Sequence, residues 1–389
     1  MGLLPAEVTH RRRLPALAAA ALALVAAACG GGRAASPTTT TRPLPPLPPQ
    51  VIAYVTLIGT GSSLGLGDAV DEVDVTSGVA GAITGRVHVG AFPDAVAIAP
   101  DGRTAYVTSY AADTVTPIDV ATGKAGKPIP AGDGPAGIAI APDGRTAYVT
   151  DAGTSPIGDT VTPIDLLTGK PLPPITVGDG PQGIAITPDG KLAFVADAGA
   201  IVTGQTGPYG DTVTPIDLLT GKPLPPITVG NAPVAVAISP DGSTVEVANQ
   251  NSGSVTPISV LTRTAGSPVP VDGAPQALAF GAGESSVLYV AVAPSAVARG
   301  GDVTPISVAT GVAGAPMKVC KDPSGIAVKG GTAWVTCLSS GAIEPVDLHT
   351  RTSGAAVAVP GGPYAIALAS RPQGPSTRAQ GAHRTRPKR

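Results

Sequence analysis

The sequence predicts an all-β fold: a seven-bladed β-propeller closed by a C-terminal strand that completes the first blade. Three observations carry this. First, one block recurs seven times, each copy opened by a proline: Pro93, Pro135, Pro181, Pro233, Pro275, Pro323 and Pro363. These fall at steps of 42, 46, 52, 42, 48 and 40 residues. Such a period marks a ring or an array of identical units. Second, each block reads as four short strands, A to D, split by turn signals. Third, residues 51–90 supply strands B, C and D without an A, while residues 363–369 supply an A strand with no B after it.

Strand A, Ala-Val-Ala-Ile-Ala at 95–99 in its first copy, is apolar at every position. This pattern predicts burial on both faces. Its small residues, with Gly137, Gly183 and Gly325 at its start, suit sheets converging on a crowded axis. A Pro-Asp-Gly turn follows at 100–102, 142–144, 188–190 and 240–242. The Asp-Gly pair supplies the positive φ of a tight hairpin. Strand B carries Ala-Tyr-Val-Thr, and strand C carries Val-Thr-Pro-Ile-Asp. Proline removes a ladder donor, so strand C is expected to be bulged or locally unpaired there. A Thr-Gly-Lys turn leads to strand D, Ile-Thr-Val-Gly. Residues 158–178 and 210–230 are an identical run of 21 residues, which marks this part of each blade as scaffold.

The strand B copies are Tyr54-Val55-Thr56, Tyr106-Val107-Thr108, Tyr148-Val149-Thr150, Phe194-Val195-Ala196, Tyr289-Val290-Ala291 and Trp334-Val335-Thr336. Over residues 51–370 the chain resembles the YVTN-repeat family of β-propellers. Block five departs from the pattern, with Glu246 at the aromatic position. The strand C prolines depart too, and block one has Glu72 instead. The resemblance implies a rigid propeller of the kind found in surface-layer and periplasmic proteins. Related seven-bladed propellers include lactonases and lyases that act at the central channel.

The chain has 389 residues, 43% of them apolar but only 3% aromatic, so Val, Ile and Ala must build the core. Residues 51–370 hold 14 Lys/Arg against 26 Asp/Glu, a net −12, whereas 371–389 hold six Lys/Arg and no acid. The acidic body argues against nucleic acid as a partner. Arg11, Arg12 and Arg13 precede an apolar run over 14–28, the pattern of an export signal. Ala26-Ala27-Ala28-Cys29-Gly30 resembles a bacterial lipobox, which implies a lipid on Cys29. The expected organisation is a lipoprotein signal peptide (1–28), a Pro/Thr/Gly-rich spacer (29–50), the propeller (51–370) and a basic disordered tail (371–389). The expected location is the outer side of the bacterial cytoplasmic membrane or the cell surface.

Cys320 and Cys337 flank a strand A–turn–strand B hairpin, and counting from Gly330-Gly331 sets Cys337 opposite Ser324. In an exported protein the two are expected to form a disulfide worth on the order of 3 kcal/mol. His88 and His349 have no second His at ligand spacing, so no metal site is expected. No phosphate loop, nucleophile elbow or other cofactor or catalytic motif occurs, and no cofactor is expected. The D–A and B–C connections share one face and include the longer loops at 58–67, 152–158, 198–210 and 293–301. Phe92, Tyr110, Asp151, Asp197, Tyr209 and Tyr364 fall there and form the candidate binding face. Its acids, Asp133, Asp159, Asp179, Asp211 and Asp302 among them, lack the dense spacing of a calcium loop. The expected function is a lipid-anchored binding or interaction scaffold for an envelope protein, wall polymer or small ligand, held to the membrane by its N-terminal lipid. The rival is a lactonase- or lyase-type enzyme acting at the channel. For the fold, ending the chain at Val359 should collapse it, while ending it at Ser370 should leave stability unchanged.

Overall fold

A computed structural model of the chain describes residues 49–59, 67–77, 81–154, 157–200, 208–281, 284–294 and 300–372. These form seven small antiparallel sheets. In blade 1 the strands are Gln50–Leu57 (B), Ala69–Asp74 (C) and Ile83–His88 (D), and Pro363–Arg371 is the innermost strand A. The other six blades run A to D in chain order, as in blade 2: Pro93–Ile98, Thr104–Ser109 and Thr114–Asp119, then D in two pieces, Lys124–Ala125 and Ile129–Pro130. Each innermost strand packs on the next. Pro363–Arg371 packs against both Pro323–Lys329 and Pro93–Ile98, so the ring is closed.

The closing strand pairs with Gln50–Leu57 from Gln50↔Arg371 to Leu57↔Pro363. The paired strands thus run one residue past 51–370 at each end. Arg371 is not idle there. Its Nη2 donates to Glu72 Oε1 (2.6 Å) and to the Tyr54 hydroxyl (3.0 Å), and its Nε donates to the Val120 carbonyl of blade 2. Glu72 is buried, and burial together with the Glu72 charge pushes the Tyr54 hydroxyl up to about 12. A chain ending at Ser370 would strand that carboxylate, which corrects the expectation of a neutral cut.

The innermost strands are half-buried rather than buried on both faces, because one side lines the channel. Their backbones still crowd each other. A Cβ on Gly137 would lie 2.3 Å from the Gln182 carbonyl of the next blade. Each strand A is also bulged just after its proline, where the register with strand B shifts. The strand B threonine fills the gap. Thr150 Oγ1 accepts from Gly137 N (2.7 Å) and donates to the Gln182 carbonyl (2.7 Å) of blade 4. Thr108 does the same with Ala95 N and the Ala136 carbonyl. At the seam Thr56 accepts from Ala365 N (2.8 Å), and Thr336 donates to the Tyr364 carbonyl (2.6 Å). The motif's hydroxyl therefore ties neighbouring blades together.

The strand C prolines stay in register with strand B, and the loss falls on the outer side. Strand D breaks into two short pieces around each proline, whose carbonyl accepts one bond, Gly126 N to Pro117 O at 2.7 Å. Blade 1, with Glu72 in place of proline, keeps an unbroken strand D. Hydrophobic clusters lie between blades. Val115 and Ile129 of blade 2, for example, pack on Ile138, Val149 and Ile164 of blade 3.

Arg371→Ala is expected to lower unfolding stability by about 3 kcal/mol, read by urea titration, because it leaves Glu72 buried without its partner. The double variant with Glu72→Gln should recover part of that loss. Ending the chain after Val359 should abolish the cooperative transition.

Candidate functional site at the channel mouth

The residue after each block-opening proline points toward the axis. In order these are Asp94, Ala136, Gln182, Val234, Gln276, Ser324 and Tyr364, which together line a central cavity of about 210 Å³. Their placement follows from the bulge. The threonines of the preceding blades hold the carbonyls of Ala136, Gln182 and Tyr364, so the backbone of the ring is fixed while its side chains vary. The rest of the wall is apolar and mostly small: Ala95, Gly137, Gly183, Ala235, Ala277, Gly325 and Ala365, with Ile326 and Ile366.

Protein encloses Asp94 on all sides except the channel. That burial pushes its carboxyl up to about 7. The Asp94 charge, and then burial, push the neighbouring Tyr364 hydroxyl well up, so Tyr364 stays a neutral donor. Gln182 Nε2 is buried without a hydrogen-bond partner among the described residues. Other ring members are occupied: Gln276 Oε1 accepts from Gln250 Nε2 (2.9 Å), and Ser324 Oγ donates to the Tyr364 carbonyl (3.0 Å). The ring therefore offers the half-buried Asp94 carboxyl, open to the channel, and one buried amide donor without a partner among the described residues, a group that proteins normally satisfy.

The aromatics expected on this face divide. Phe92 and Tyr110 meet in blade 2, ring centroids 5.8 Å apart, and the Tyr110 hydroxyl donates to the Gly153 carbonyl (2.6 Å). Phe92 stands two residues before Asp94 with φ +55°, where blades 1, 3 and 4 use Gly362, Gly134 and Gly180 and blade 5 uses Ala232 at φ +52°. A bulky side chain in that left-handed region costs on the order of 1 kcal/mol. Tyr364 belongs to the ring itself. Tyr209 is exposed on the B–C hairpin of blade 4. The longer loops lie outside the described residues at 60–66, 155–156, 201–207 and 295–299, as does Cys29.

Asp151 and Asp197 are not on the open face. Both are buried at the ends of their B strands, where Asp151 Oδ2 accepts from Thr160 and Thr162, and Asp197 Oδ2 from Thr212 and Thr214. Burial outweighs these bonds and pushes both carboxyls up to about 6. Blade 5 has Asn249 at this spot and blade 2 has Ser109. In blade 7 the same spot is Cys337, bonded to Cys320 with a Cα–Cα distance of 5.9 Å. The bulge sets Cys337 opposite Pro323, one residue from the expected Ser324. Glu344 lies near the two sulfurs, but the bonded pair has no thiolate to offer a metal. Glu246, on the strand B of blade 5, is likewise buried, and its carboxyl is pushed up to about 7.

Sequence reasoning missed Asp94, Gln182, Gln276 and Ser324. The signal was present as variation: the position after the proline changes between blocks while its neighbours repeat.

A closed seven-bladed propeller with a polar ring at one end of its channel is the class these features define. No known protein family and no curated protein matches the chain. Among solved structures it is similar to Kuenenia stuttgartiensis hydrazine synthase, at 22% identity and a TM-score of 0.62, over 73% of this chain and 92% of that one. It is also similar to a functionally unknown protein from Desulfotomaculum acetoxidans, at 16% identity and a TM-score of 0.64, over 82% and 99%. A third likeness is to Citrobacter koseri AztD, at 12% identity and a TM-score of 0.56, over 83% and 99%. At these identities the likeness is one of fold.

The raised carboxyls of Asp151 and Asp197 favour the folded state when protonated. Their contribution is full below the ordinary value of 3.8 and is lost as pH rises through about 6. Asp151→Asn and Asp197→Asn, for which Asn249 of blade 5 is the natural precedent, are each expected to raise stability at pH 8 by roughly 1–2 kcal/mol. Melting curves from pH 4 to 8 should show a flatter profile in both variants.

Proposed function

We propose that this chain is an exported, lipid-anchored binding propeller of the YVTN-repeat type, and that it holds a compact polar ligand at the mouth of its channel. One observation carries the reading. Residues 158–178 and 210–230 are identical, yet the ring positions that follow them differ, Gln182 against Val234. The identity covers strands C and D and stops at Gly178 and Gly230, short of strand A, whose ring position changes from block to block. The ligand that suits this mouth donates to Asp94, best as an ammonium group, and accepts from Gln182 Nε2. The strained Phe92 and its Tyr110 neighbour form an aromatic rim beside it. Anchorage rests on the Arg11–Arg13 and Cys29 sequence pattern.

The enzyme reading draws on Asp94 alone, since a carboxyl near 7 suits proton transfer at neutral pH. Against it, the remaining ring side chains are amides, a hydroxyl, a phenol held neutral and small apolar groups. No second acid–base group of matched pKa stands among the described ring residues.

Native mass spectrometry of the protein purified from its own cells tests this reading. A small molecule should remain bound to the wild type and be lost from Asp94→Ala and Gln182→Ala, with both variants folded by circular dichroism. A ligand retained by both variants, or capture only of an envelope protein or wall polymer unaffected by them, would remove the channel from the function.

A further inference from the structure

We propose that the face opposite the channel mouth, made by the A–B and C–D turns, rests on an anionic lipid bilayer and inserts leucines into it. This role goes beyond ligand binding and does not require acylation of Cys29.

Leu167, Leu219 and Leu261 stand at the C–D turns of three consecutive blades and are 91%, 92% and 88% exposed. They are presented rather than packed. In the turn at 165–169 the first leucine, Leu166, joins the inter-blade core, while Asp165 Oδ1 accepts from the backbone of Leu167 (2.9 Å) and Thr168 (3.0 Å). Asp217 holds Leu219 and Thr220 in the same way, with Leu218 packed inward. Val312, 61% exposed, begins the first D piece of blade 6 on this same side. Exposed apolar tips on neighbouring turns mark an interaction surface. They are convex projections rather than a concave seat, the shape that enters a soft interface. Between Leu219 and Leu261 a groove of about 850 Å³ carries Lys191 and Arg263 against Asp189, Asp217 and Asp241, with Lys191 paired to Asp189 (3.2 Å), so the turn charges largely cancel.

Two further observations name the occupant. Both ends of the propeller leave from this face. Gln50 pairs with Arg371, Val51 N donates to Thr76 Oγ1 in the blade 1 turn, and Lys329 Nζ in the blade 7 turn donates to Ser370 Oγ (2.7 Å). The segment carrying Cys29 and the acid-free stretch 372–389, which holds five cations, therefore start here. Charge is also segregated. Arg103, Arg145 and Lys191 sit in A–B turns, and Lys170, Lys222 and Arg263 in or beside C–D turns, where they offset the turn aspartates. Asp94, Asp133, Asp159, Asp179 and Asp211 gather toward the other face. A near-neutral, leucine-tipped face from whose edge a cationic stretch of sequence departs is drawn to anionic lipid, and the acidic face is turned away from it. Seated this way, the propeller would open its channel mouth toward the medium.

The test uses the full chain with Cys29→Ser, so that no acyl chain contributes. Leu219→Trp reports on this face and Tyr209→Trp, also exposed, on the other. Vesicles of phosphatidylglycerol and phosphatidylcholine should shift Leu219→Trp emission to the blue and leave Tyr209→Trp unchanged. Phosphatidylcholine alone, or high salt, should reduce the shift. The variant Leu167→Ser/Leu219→Ser/Leu261→Ser, whose side chains support no core, should bind such vesicles at least about tenfold more weakly, since burying even one leucine moves an equilibrium by that factor. Co-sedimentation without a Leu219→Trp shift would overturn the proposal, because the apolar run at 14–28 would then explain the binding. Equal binding by the triple variant would overturn it too. So would a blue shift that grows with protein concentration in the absence of vesicles, which assigns the face to self-association. Acylation of Cys29 is read separately from the intact mass of the wild type, so the anchor and this face can fail independently.

Discussion

Pairing between Gln50–Leu57 and Pro363–Arg371 is the constraint on which the rest of the molecule depends. Without it blade 1 is a three-stranded sheet with a bare inner edge, and six other blades have nothing to lean on at the seam. The same strand completes the channel. It brings Tyr364 against Asp94, residues 270 positions apart in the chain by their numbers, and sets the electrostatic character of the ring. The arginine at its end reaches Tyr54, Glu72 and the blade 2 backbone, so three pieces of chain meet at one guanidinium. The geometry of the ring and the closure of the fold are therefore one event in this protein.

Two repeated residues explain how sheets this narrow stay together. The strand B threonine substitutes for the backbone partner that the bulge removes, and it passes a second bond to the next blade. Blades 4 to 6 have Ala196, Ala248 and Ala291 instead and lack that bond. The strand C proline acts on the outside. By breaking strand D in two it leaves no long outer edge for another chain to extend in six of the blades, blade 1 alone keeping an unbroken one. One device faces the axis and the other faces solvent, and both are written in short repeated motifs.

Blade number, strand order and closure were legible in the sequence because each is a matter of period. That the D–A and B–C connections share one end was legible too, since strand order alone sets it. Side-chain destinations were not. Asp151 and Asp197 read as surface acids but are buried, because a strand's last residue turns inward beneath the D–A loop rather than outward. The bulge in strand A shifted Cys337 by one position and aimed the post-proline residue down the channel, and no local sequence pattern announces that bulge. The ring was hidden for a second reason. Aligning repeats draws attention to what is shared, and the site consists of what is not.

The verbatim copy in blades 3 and 4 has a consequence for how the chain finds its fold. Thr146–Asp151 pairs with Thr160–Asp165, yet an identical hexapeptide lies within Tyr209–Asp217. Local complementarity cannot tell the two apart. Only the longer excursion needed to reach the second copy disfavours it, by about 2 kcal/mol of closure entropy. A wheel short of one spoke is therefore a near-degenerate competitor during assembly, and discrimination falls to the global geometry, which offers a home for the final strand only when every spoke has been counted.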